Sequence, residues 1–298
     1  MPELPELEAF VRAQRERLRA EPVAEVPVAH FATLKTVDPP PAALVGRRFS
    51  EVRRRAKRLL FETEEAGPVL MIHLMSAGRL AVGPGHPKSS VLAVRFEDDT
   101  ELAMTEAGRK RRAGAWLLTP EAVAEQLAHI GPEPLDPAFD TAALKVALEQ
   151  HPHRLHAFLR DQRAIAGIGR AYANEILHAA RLSPYANGAS LTPEQLEQLH
   201  AAIVGQLGEA TERLVPLSQK GLAAKAGHDY RVHDRLGRQC PVCGNEIRQV
   251  SFDEHTIYYC PTCQTGGKLL ADRSLSRLLK QDWPRSLEEL EEMKRVRS

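Results

Sequence analysis

The four cysteines of this 298-residue chain all lie between positions 240 and 263. They form two pairs, Cys240-Pro-Val-Cys243 and Cys260-Pro-Thr-Cys263, which are separated by sixteen residues. Two such pairs are typical of a tetrahedral site in which each thiolate lies about 2.3 Å from zinc, with iron in the same geometry as the alternative. Because four thiolates leave no open coordination position, we expect one structural Zn²⁺ ion, and we expect no organic cofactor.

The sixteen residues between the cysteine pairs predict a β-hairpin. Its arms are 247–252 and 256–259, and its tip is 253–255. The cysteine pattern alone is compatible with a purely structural hairpin and with a hairpin that contacts a partner.

The distribution of cysteines and apolar residues restricts the class of protein. Clustered cysteines exclude a disulfide scaffold spread over the fold and indicate a reduced, intracellular chain, so we expect a cytoplasmic location. The N-terminus, MPELPELEAF, carries early acids and lacks the apolar segment of a secretory signal. The sequence contains no apolar run of roughly 18 residues, so we expect no membrane span.

Short apolar runs separated by turn residues dominate the N-terminal part. These runs are LLFET (59–63), PVLMIHLM (68–75), VLAVRF (91–96) and AWLL (115–118). Short strands with this spacing predict a β-sandwich or barrel. A helix is predicted before them over 4–20, with apolar positions at Leu7, Phe10, Val11 and Leu18.

Helical patterns follow from Thr119, where Thr-Pro-Glu is typical of a helix start. Further helices are predicted over 141–150, 155–163, 169–180 and 192–215. The proline-rich connector at 131–137 is the preferred boundary. We therefore predict an α+β multidomain chain with a β-sandwich over 1–125, a linker over 126–138, a helical domain over 139–231, a Cys₄ zinc finger over 232–268 and a charged tail over 269–298.

Two basic clusters interrupt a chain whose net charge is only +1. Residues 47–58 hold seven basic side chains and one acid, and Arg109–Arg112 hold four more. Such clusters indicate a positive face for phosphates, although solvated strand edges also explain them. Gly167-Ile-Gly169-Arg170 at a helix start predicts an anion site or tight packing.

The N-terminal Met1-Pro2-Glu3 carries the most unusual chemistry. A small second residue permits removal of Met1, which leaves Pro2 with a free secondary amine. An α-amino group titrates near pH 7.7–8.0, and its neutral form can attack an electrophilic carbon to give an iminium ion. Glu3 and Glu6 are candidate proton-transfer groups beside it. The alternative is an ordinary chain start with no chemical role.

These motifs occur in the order of a known family: MPELPELE, RRAKRLLF, the IHL segment at 72–80, GPEPL, AGIGRAYANEILHAARLSP and GRQCPVCG…YYCPTCQ. The chain resembles the formamidopyrimidine-DNA glycosylase / endonuclease VIII family from residue 1 into the C-terminal tail. The resemblance implies an N-terminal β-sandwich, a helix-two-turn-helix domain and a zinc-finger hairpin, with damaged DNA between the domains.

The resemblance also implies a mechanism. Pro2 attacks C1′ of a flipped nucleoside and releases the damaged base, and the Schiff base then drives β- and δ-elimination. Glu3 is implied as the proton donor, and Lys57 as a phosphate contact or proton-transfer aid. Arg111, Arg112, Arg170, His255 and Met75 are implied in DNA binding.

Four positions depart from the family pattern. Arg170 replaces the usual Asn at its helix start, and His255 replaces an Arg that binds phosphate on the hairpin. Ala113 stands where the family has an aromatic wedge, and Ser76 stands at the position of a wedge Met, with Met75 beside it. Because the nucleophile is kept while the DNA contacts change, we expect retained chemistry on a substrate other than 8-oxoguanine in duplex DNA.

Three functions are compatible with the sequence. The first is a bifunctional DNA glycosylase and AP lyase, acting as a monomer in the nucleoid. The second is a non-catalytic protein that binds lesions or abasic sites on the same scaffold. The third is an RNA-binding zinc protein, against which Pro2-Glu3 argues because RNA binding needs no free amine.

Overall fold

The computed structural model describes residues 1–85, 89–107, 111–222, 228–252, 255–271 and 284–289, together with residues 292 and 295. The chain divides into two compact units, Met1–Glu133 with Leu207–His228 and Pro134–Gln206 with Asp229–Ser298. The first boundary falls inside the predicted linker, whereas 207–228 joins the first unit instead of the helical region expected at 139–231. Most of the predicted tail lies outside the described residues. Within the described ranges, no helix has the length and apolarity to cross a bilayer.

The first unit contains two four-stranded antiparallel sheets, which confirms the predicted β-sandwich. One sheet has the order β1-β6-β7-β5 and the other β2-β3-β4-β8. The elements are α1 (Leu4–Ala20), β1 (Val23–Glu25), β2 (Phe49–Arg55), β3 (Arg58–Thr63), β4 (Val69–His73), β5 (Gly78–Pro84), β6 (Ser90–Phe96), β7 (Thr100–Glu106), β8 (Gly114–Leu118) and α2 (Pro120–Leu127).

Helix α1 covers the sandwich with the apolar face expected from its sequence. Leu7, Phe10, Val11 and Leu18 all lie in the same buried cluster as side chains from both sheets. Side chains spaced three and four residues apart share one face of a helix, so this pattern is sufficient to bury that face. Helix α2 begins as predicted, since Oγ1 of Thr119 accepts the N–H of Ala122 at 3.3 Å.

Two connections cross from one sheet to the other at the same end of the sandwich. The β4–β5 connection leaves His73 and enters the second sheet at Gly78, and the β7–β8 connection returns from Glu106 to Gly114. Gly78 pairs with Glu106, and His73 pairs with Gly114. The two crossings therefore run side by side.

The second unit is helical and carries a two-stranded hairpin. Its helices are α3 (Thr141–Gln150), α4 (Leu155–Arg160), α5 (Arg170–Ala179), α6 (Pro193–Leu214) and α7 (Pro261–Thr265), and its strands are β9 (Arg248–Phe252) and β10 (His255–Tyr259). The predicted helices and hairpin arms are confirmed to within a few residues. Helix α6 runs past residue 207 into the first unit, where Leu214 packs against Ala9 of α1. Helical periodicity is local, so it did not show which core the end of α6 joins.

Candidate active site and metal centre

The N-terminus is folded into the protein. Pro2 is buried, Glu3 and Glu6 are each 5% exposed, and Met1 is exposed. Glu3 is the N-cap of α1 and forms a capping box with Glu6, in which the N–H of Glu3 donates to Oε2 of Glu6 at 3.1 Å. This reciprocal arrangement fixes the backbone directly after Pro2.

Glu6 lies in an environment that favours its neutral form. Burial, assisted by the nearby Glu3 carboxylate, raises the pKa of Glu6 to about 7. Its other oxygen, Oε1, lies 3.3 Å from Nε2 of His228, a side chain that is equally buried. Glu6 is therefore poised to gain or lose a proton near neutral pH.

Lys57 lies on the tight turn between β2 and β3 and is 8% exposed. Ala56, just before it, has a positive φ of 50°. Glu133 holds this turn, because its Oε1 accepts the N–H of Ala56 at 2.7 Å and contacts the guanidinium of Arg55 at 2.9 Å. Burial, together with nearby Arg58 and Lys57, lowers the pKa of His73 to about 4, so His73 is neutral at pH 7.

Arg111 and Arg112 are exposed on the β7–β8 connection; Arg109 and Lys110 lie outside the described residues. Glu106, which is 8% exposed, anchors this segment. Its Oε1 accepts the N–H groups of Arg112 and Ala113 at 2.7 and 3.0 Å. Ala113 is only 1% exposed and belongs to the sandwich core, so this position presents no wedge at the surface.

Met75 lies on the β4–β5 connection with a positive φ of 49° and a half-buried side chain. The N–H of Gly78 donates to the carbonyl of Leu74 at 2.8 Å and closes this turn. A Cβ at position 78 would lie 2.4 Å from that carbonyl oxygen, so the close turn requires glycine. Ser76, the next residue, is exposed.

These segments meet at one end of the sandwich. Glu8 contacts Arg54 near the end of β2, whereas Arg15 contacts the carbonyl of Val52, so α1 runs antiparallel to β2 with its N-terminus toward the β2–β3 turn. Sheet pairing then places that turn beside the end of β4 and the start of β8. We call this set the polar end: residues 2–6, 55–58, 74–78 and 111–113.

The arginines of β2 do not form a free basic surface. Arg54 is buried, with 5% of its side chain exposed, and Arg53 and Arg55 on the same strand also pair with carboxylates. The ion pairs are Arg53–Glu62 at 2.6 Å, Arg54–Glu8 at 3.1 Å, Arg54–Glu133 at 2.6 Å and Arg55–Glu133 at 2.9 Å. These three arginines are paired with carboxylates, so neither the predicted phosphate-binding face nor a solvated strand edge describes them.

In the second unit, Arg170 is the first residue of α5 and is exposed, and Gly169 is its N-cap. Gln162 holds the preceding loop: its side-chain oxygen accepts the N–H of Gly167 at 2.9 Å, and its amide donates to the carbonyl of Ile168 at 2.9 Å. Gly167 has a φ of +81°, which explains the glycine there. The α5 start thus presents backbone N–H groups with one arginine beside them.

The four cysteines fit a zinc ion. Their sulfur atoms all lie within 4.8 Å of one another, with Cys240 and Cys263 3.9 Å apart and Cys243 and Cys260 3.4 Å apart. Tetrahedral zinc with thiolates at about 2.3 Å requires sulfur separations of roughly 3.8 Å. Nε2 of His178 lies 3.2 Å from the sulfur of Cys240, as a group that supports a metal ligand would. These residues form one structural zinc site.

Helix α5 anchors the hairpin and the segment before it. Oδ1 of Asn174 accepts the N–H of Tyr258 on β10 at 3.3 Å. Glu175 accepts the backbone N–H groups of residues 231, 232 and 233 at 2.7–2.9 Å. Glu175 therefore braces the segment before the hairpin within the second unit. The side chain of His255 lies outside the described residues.

Sequence reasoning missed four polar residues that hold the site segments: Glu106, Glu133, Asn174 and His228. Glu133 and Asn174 stand inside recognised motifs, GPEPL and AYANEIL, and could have been found there. Glu106 and His228 carry no local signal, because their partners are five or more residues away and are chosen by tertiary contact.

Profiles of known families match three stretches of the chain. Residues 1–116 match the formamidopyrimidine-DNA glycosylase N-terminal domain, and residues 130–217 match the H2TH domain of the same glycosylases. Residues 239–280 match a transcription factor zinc-finger.

Curated relatives carry the same description. A formamidopyrimidine-DNA glycosylase of Symbiobacterium thermophilum is 35% identical over 275 residues, which is 89% of each chain. That of Methylococcus capsulatus is 35% identical over 280 residues, covering 89% of this chain and 100% of the relative. An uncharacterized formamidopyrimidine-DNA glycosylase-like protein of Mycobacterium tuberculosis is 46% identical over 151 residues, 51% of this chain and 94% of that one.

Solved structures agree. MutM (Fpg) from Thermus thermophilus superposes with a TM-score of 0.75 at 30% identity, covering 88% of this chain and 98% of that one. A Lactococcus lactis Fpg complex has a TM-score of 0.79 at 24% identity, covering 89% and 100%, and supports the fold. With full-length relatives and both domain profiles in agreement, the chain belongs to the formamidopyrimidine-DNA glycosylase family of DNA repair enzymes.

Proposed function

We propose that this chain is a bifunctional DNA glycosylase and AP lyase whose nucleophile is the amine of Pro2. The observation that carries the proposal is the burial of Pro2 directly before the Glu3–Glu6 capping box. Burial disfavours the charged form of an amine, so it supports a neutral nucleophile at physiological pH. Met1 must be removed first, because its peptide bond makes the nitrogen of Pro2 an unreactive amide.

The proposed reaction proceeds in two stages. The Pro2 nitrogen forms a bond to C1′ of the damaged nucleotide, and the bond to the base breaks with the electron pair leaving on the base, which takes up a proton. The sugar ring opens as the iminium ion forms, and Glu3 supplies the proton to the ring oxygen. The iminium then acidifies the C2′ proton, so its removal expels the 3′ phosphate, and a second elimination expels the 5′ phosphate.

The remaining predicted site residues assist the reaction, orient the backbone or bind DNA in this proposal. Lys57, on the turn held by Glu133, contacts phosphate or assists proton transfer, and Glu6 orients the N-terminal backbone. Zinc holds the hairpin and takes no part in chemistry. The proposed DNA contacts are Met75, Arg111, Arg112, Arg170 and His255. We further propose that the protein acts as a monomer on nucleoid DNA.

The proposed substrate differs from 8-oxoguanine in intact duplex. Aromatic or apolar wedges compensate the unstacking that base flipping requires. At position 113 the chain has a buried alanine, and Arg111 and Arg112 before it are exposed. A base that is already unstacked, an abasic site or single-stranded DNA would avoid that cost. Lactococcus lactis Fpg, a structural neighbour, has itself been captured with abasic-site DNA.

Borohydride trapping on abasic-site DNA tests the proposal. We expect a covalent adduct at Pro2, absence of Met1 by mass spectrometry, and slower trapping by Pro2→Gly, which replaces the secondary terminal amine by a primary one. Pro5→Ala is the matched control, because it changes the neighbouring proline and leaves the terminal amine intact. We expect adduct formation on abasic or single-stranded lesion DNA to exceed that on duplex 8-oxoguanine.

Binding of abasic DNA without any adduct would overturn the enzymatic proposal and favour the non-catalytic lesion-binding protein. An adduct that mass spectrometry maps to a residue other than residue 2 would exclude Pro2 as the nucleophile. Fast excision of 8-oxoguanine from ordinary duplex would contradict the altered substrate while leaving the chemistry in place.

A further inference from the structure

Glu6 and His228 form a buried pair next to the N-terminus. Oε1 of Glu6 and Nε2 of His228 are 3.3 Å apart, with 7% and 8% of the two side chains exposed. The second oxygen of Glu6 accepts the N–H of Glu3 at 3.1 Å. One carboxyl group thus connects His228, which is remote in sequence, to the residue that follows Pro2.

The capping of helix α1 does not by itself require His228. A capping box needs only the two capping side chains and two backbone N–H groups. Here the glutamate is buried, and a buried carboxylate is costly unless a partner shares its proton or its charge. His228 supplies an imidazole at the oxygen that the capping box leaves available.

The contact with Glu6 has a direct geometric consequence for Pro2. Glu3 has an extended backbone at the N-cap, and its N–H is directed at Oε2 of Glu6. The nitrogen of Pro2 is one residue away from that N–H. A misplacement of about 1 Å in a reacting group can cost about 100-fold in rate, so the orientation of the Glu6 carboxyl bears on the reaction.

We propose that His228 is a positioning residue for Pro2: by holding Glu6, it fixes the Glu3 amide and thereby the nucleophilic amine. The inference rests on the proposed function, because it requires Pro2 to react. His228 acts through Glu6 and does not itself touch the reacting sugar.

The groups around Glu6 determine how this positioning depends on pH. The charged groups that act on its pKa are Glu3, which raises it, and the N-terminal amine, which lowers it; His228 is the titratable side chain in contact with it, while Arg54 of the packed strand β2 pairs with Glu8 and Glu133. Since the pKa of Glu6 is about 7, Glu6 changes its charge near neutrality. In the proposed pair the imidazole accepts the proton that Glu6 releases, so in its absence protonated Glu6, the weaker acceptor for the Glu3 N–H, persists to higher pH.

The test compares His228→Gln with the wild type. Glutamine keeps a hydrogen-bond donor but cannot carry charge, and His129→Gln, at an exposed position, is the matched control. Single-turnover borohydride trapping on abasic-site DNA is measured across the neutral pH range, together with affinity for an uncleavable abasic analogue. We expect the acid limb of the rate profile to move up by about one pH unit in His228→Gln, with unchanged affinity.

The outcomes separate the two proposals. Absence of an adduct with the wild type would overturn the proposed function itself. A wild-type adduct with an identical pH profile in His228→Gln would overturn the inference alone. Loss of rate in equal proportion at every pH, matched by a lower melting temperature, would also overturn it, because that result would assign His228 to folding.

Discussion

The polar end of the sandwich and the zinc hairpin both hold irregular backbone in place, but by different means. At the polar end, single buried carboxylates accept individual backbone N–H groups: Glu6 at residue 3, Glu133 at residue 56, and Glu106 at residues 112 and 113. In the hairpin, four thiolates converge on one metal. The first device holds one segment at a time, whereas the second joins both knuckles in one step.

The difference indicates how each region is expected to respond to perturbation. A carboxylate that holds one or two N–H groups adds a few kcal/mol at most, and only in its ionised form. A structural zinc site contributes folding free energy as a whole, because its ligands come together only in the folded state. The predictions below test this contrast in order of expected size.

Cys260→Ser gives the largest effect. Cys260 is fully buried, and without it the site loses a metal-folding free energy on the order of 10 kcal/mol. We expect loss of bound zinc, unfolding of the hairpin and loss of DNA binding, with the thermal transition of the sandwich retained. Zinc content and calorimetry measure this, and Val242→Ser, exposed in the same knuckle, is the control. Full zinc occupancy in Cys260→Ser would show that the metal site does not require all four thiolates.

Glu133→Gln gives a smaller effect that depends on pH. Burial raises the pKa of Glu133, but Arg54, the Ala56 N–H and Arg55 outweigh it, so the net pKa is below the ordinary 4.5. Stability from a depressed pKa is fully present above pH 4.5 and is lost as pH falls through the folded value. At pH 7 we expect the free energy of unfolding of Glu133→Gln to be about 3 kcal/mol below that of the wild type, because Arg54 stays buried without its carboxylate partner. On further acidification we expect the free energy of unfolding to fall less in the variant than in the wild type.

Urea unfolding at neutral and acidic pH measures the Glu133 effect. Glu62→Gln is the matched control, since its pair with Arg53 is partly exposed and worth less than about 1 kcal/mol. Similar losses in the two variants would mean that the turn carrying Lys57 does not depend on its buried carboxylate.

Glu106→Gln gives the smallest effect in stability. Glutamine keeps one acceptor oxygen for the N–H groups of Arg112 and Ala113 but loses the charge that strengthens both bonds. We expect a loss of about 1–2 kcal/mol in unfolding free energy and weaker binding of lesion DNA, with Glu97→Gln, at an exposed position, as the control. Unchanged DNA binding would show that Arg111 and Arg112 need no such anchor.

Much of the fold could be predicted from local patterns. Helix α1, the start of α2 at Thr119 and the hairpin arms all follow from periodicity, capping residues or cysteine spacing. Strands β1, β2, β5 and β7 were missed. In β2 the buried Phe49 and Val52 are separated by two polar residues and followed by arginines, so the strand resembles a basic cluster more than an apolar one.

The site was predictable for residues that act through their own chemistry and less so for residues that act through their neighbours. The cysteines were found because paired thiolates have few other uses, and Pro2 stays a prediction that rests on the chemistry of a terminal secondary amine. The β2 arginines were misjudged, because charge is visible in a sequence while the carboxylates that neutralise it, Glu133 above all, are remote.

The sequence alone determined the zinc ligands, the type of most elements and the family, since each depends on spacing or on residue identity along the chain. The tertiary structure alone decided that the turns carrying Lys57 and Met75 share one end of the sandwich with Pro2. It also decided that His228 reaches Glu6 and that the end of helix α6 joins the first unit. These arrangements depend on strand order and on packing between distant segments, where contact energies summed over the whole core outweigh any local preference.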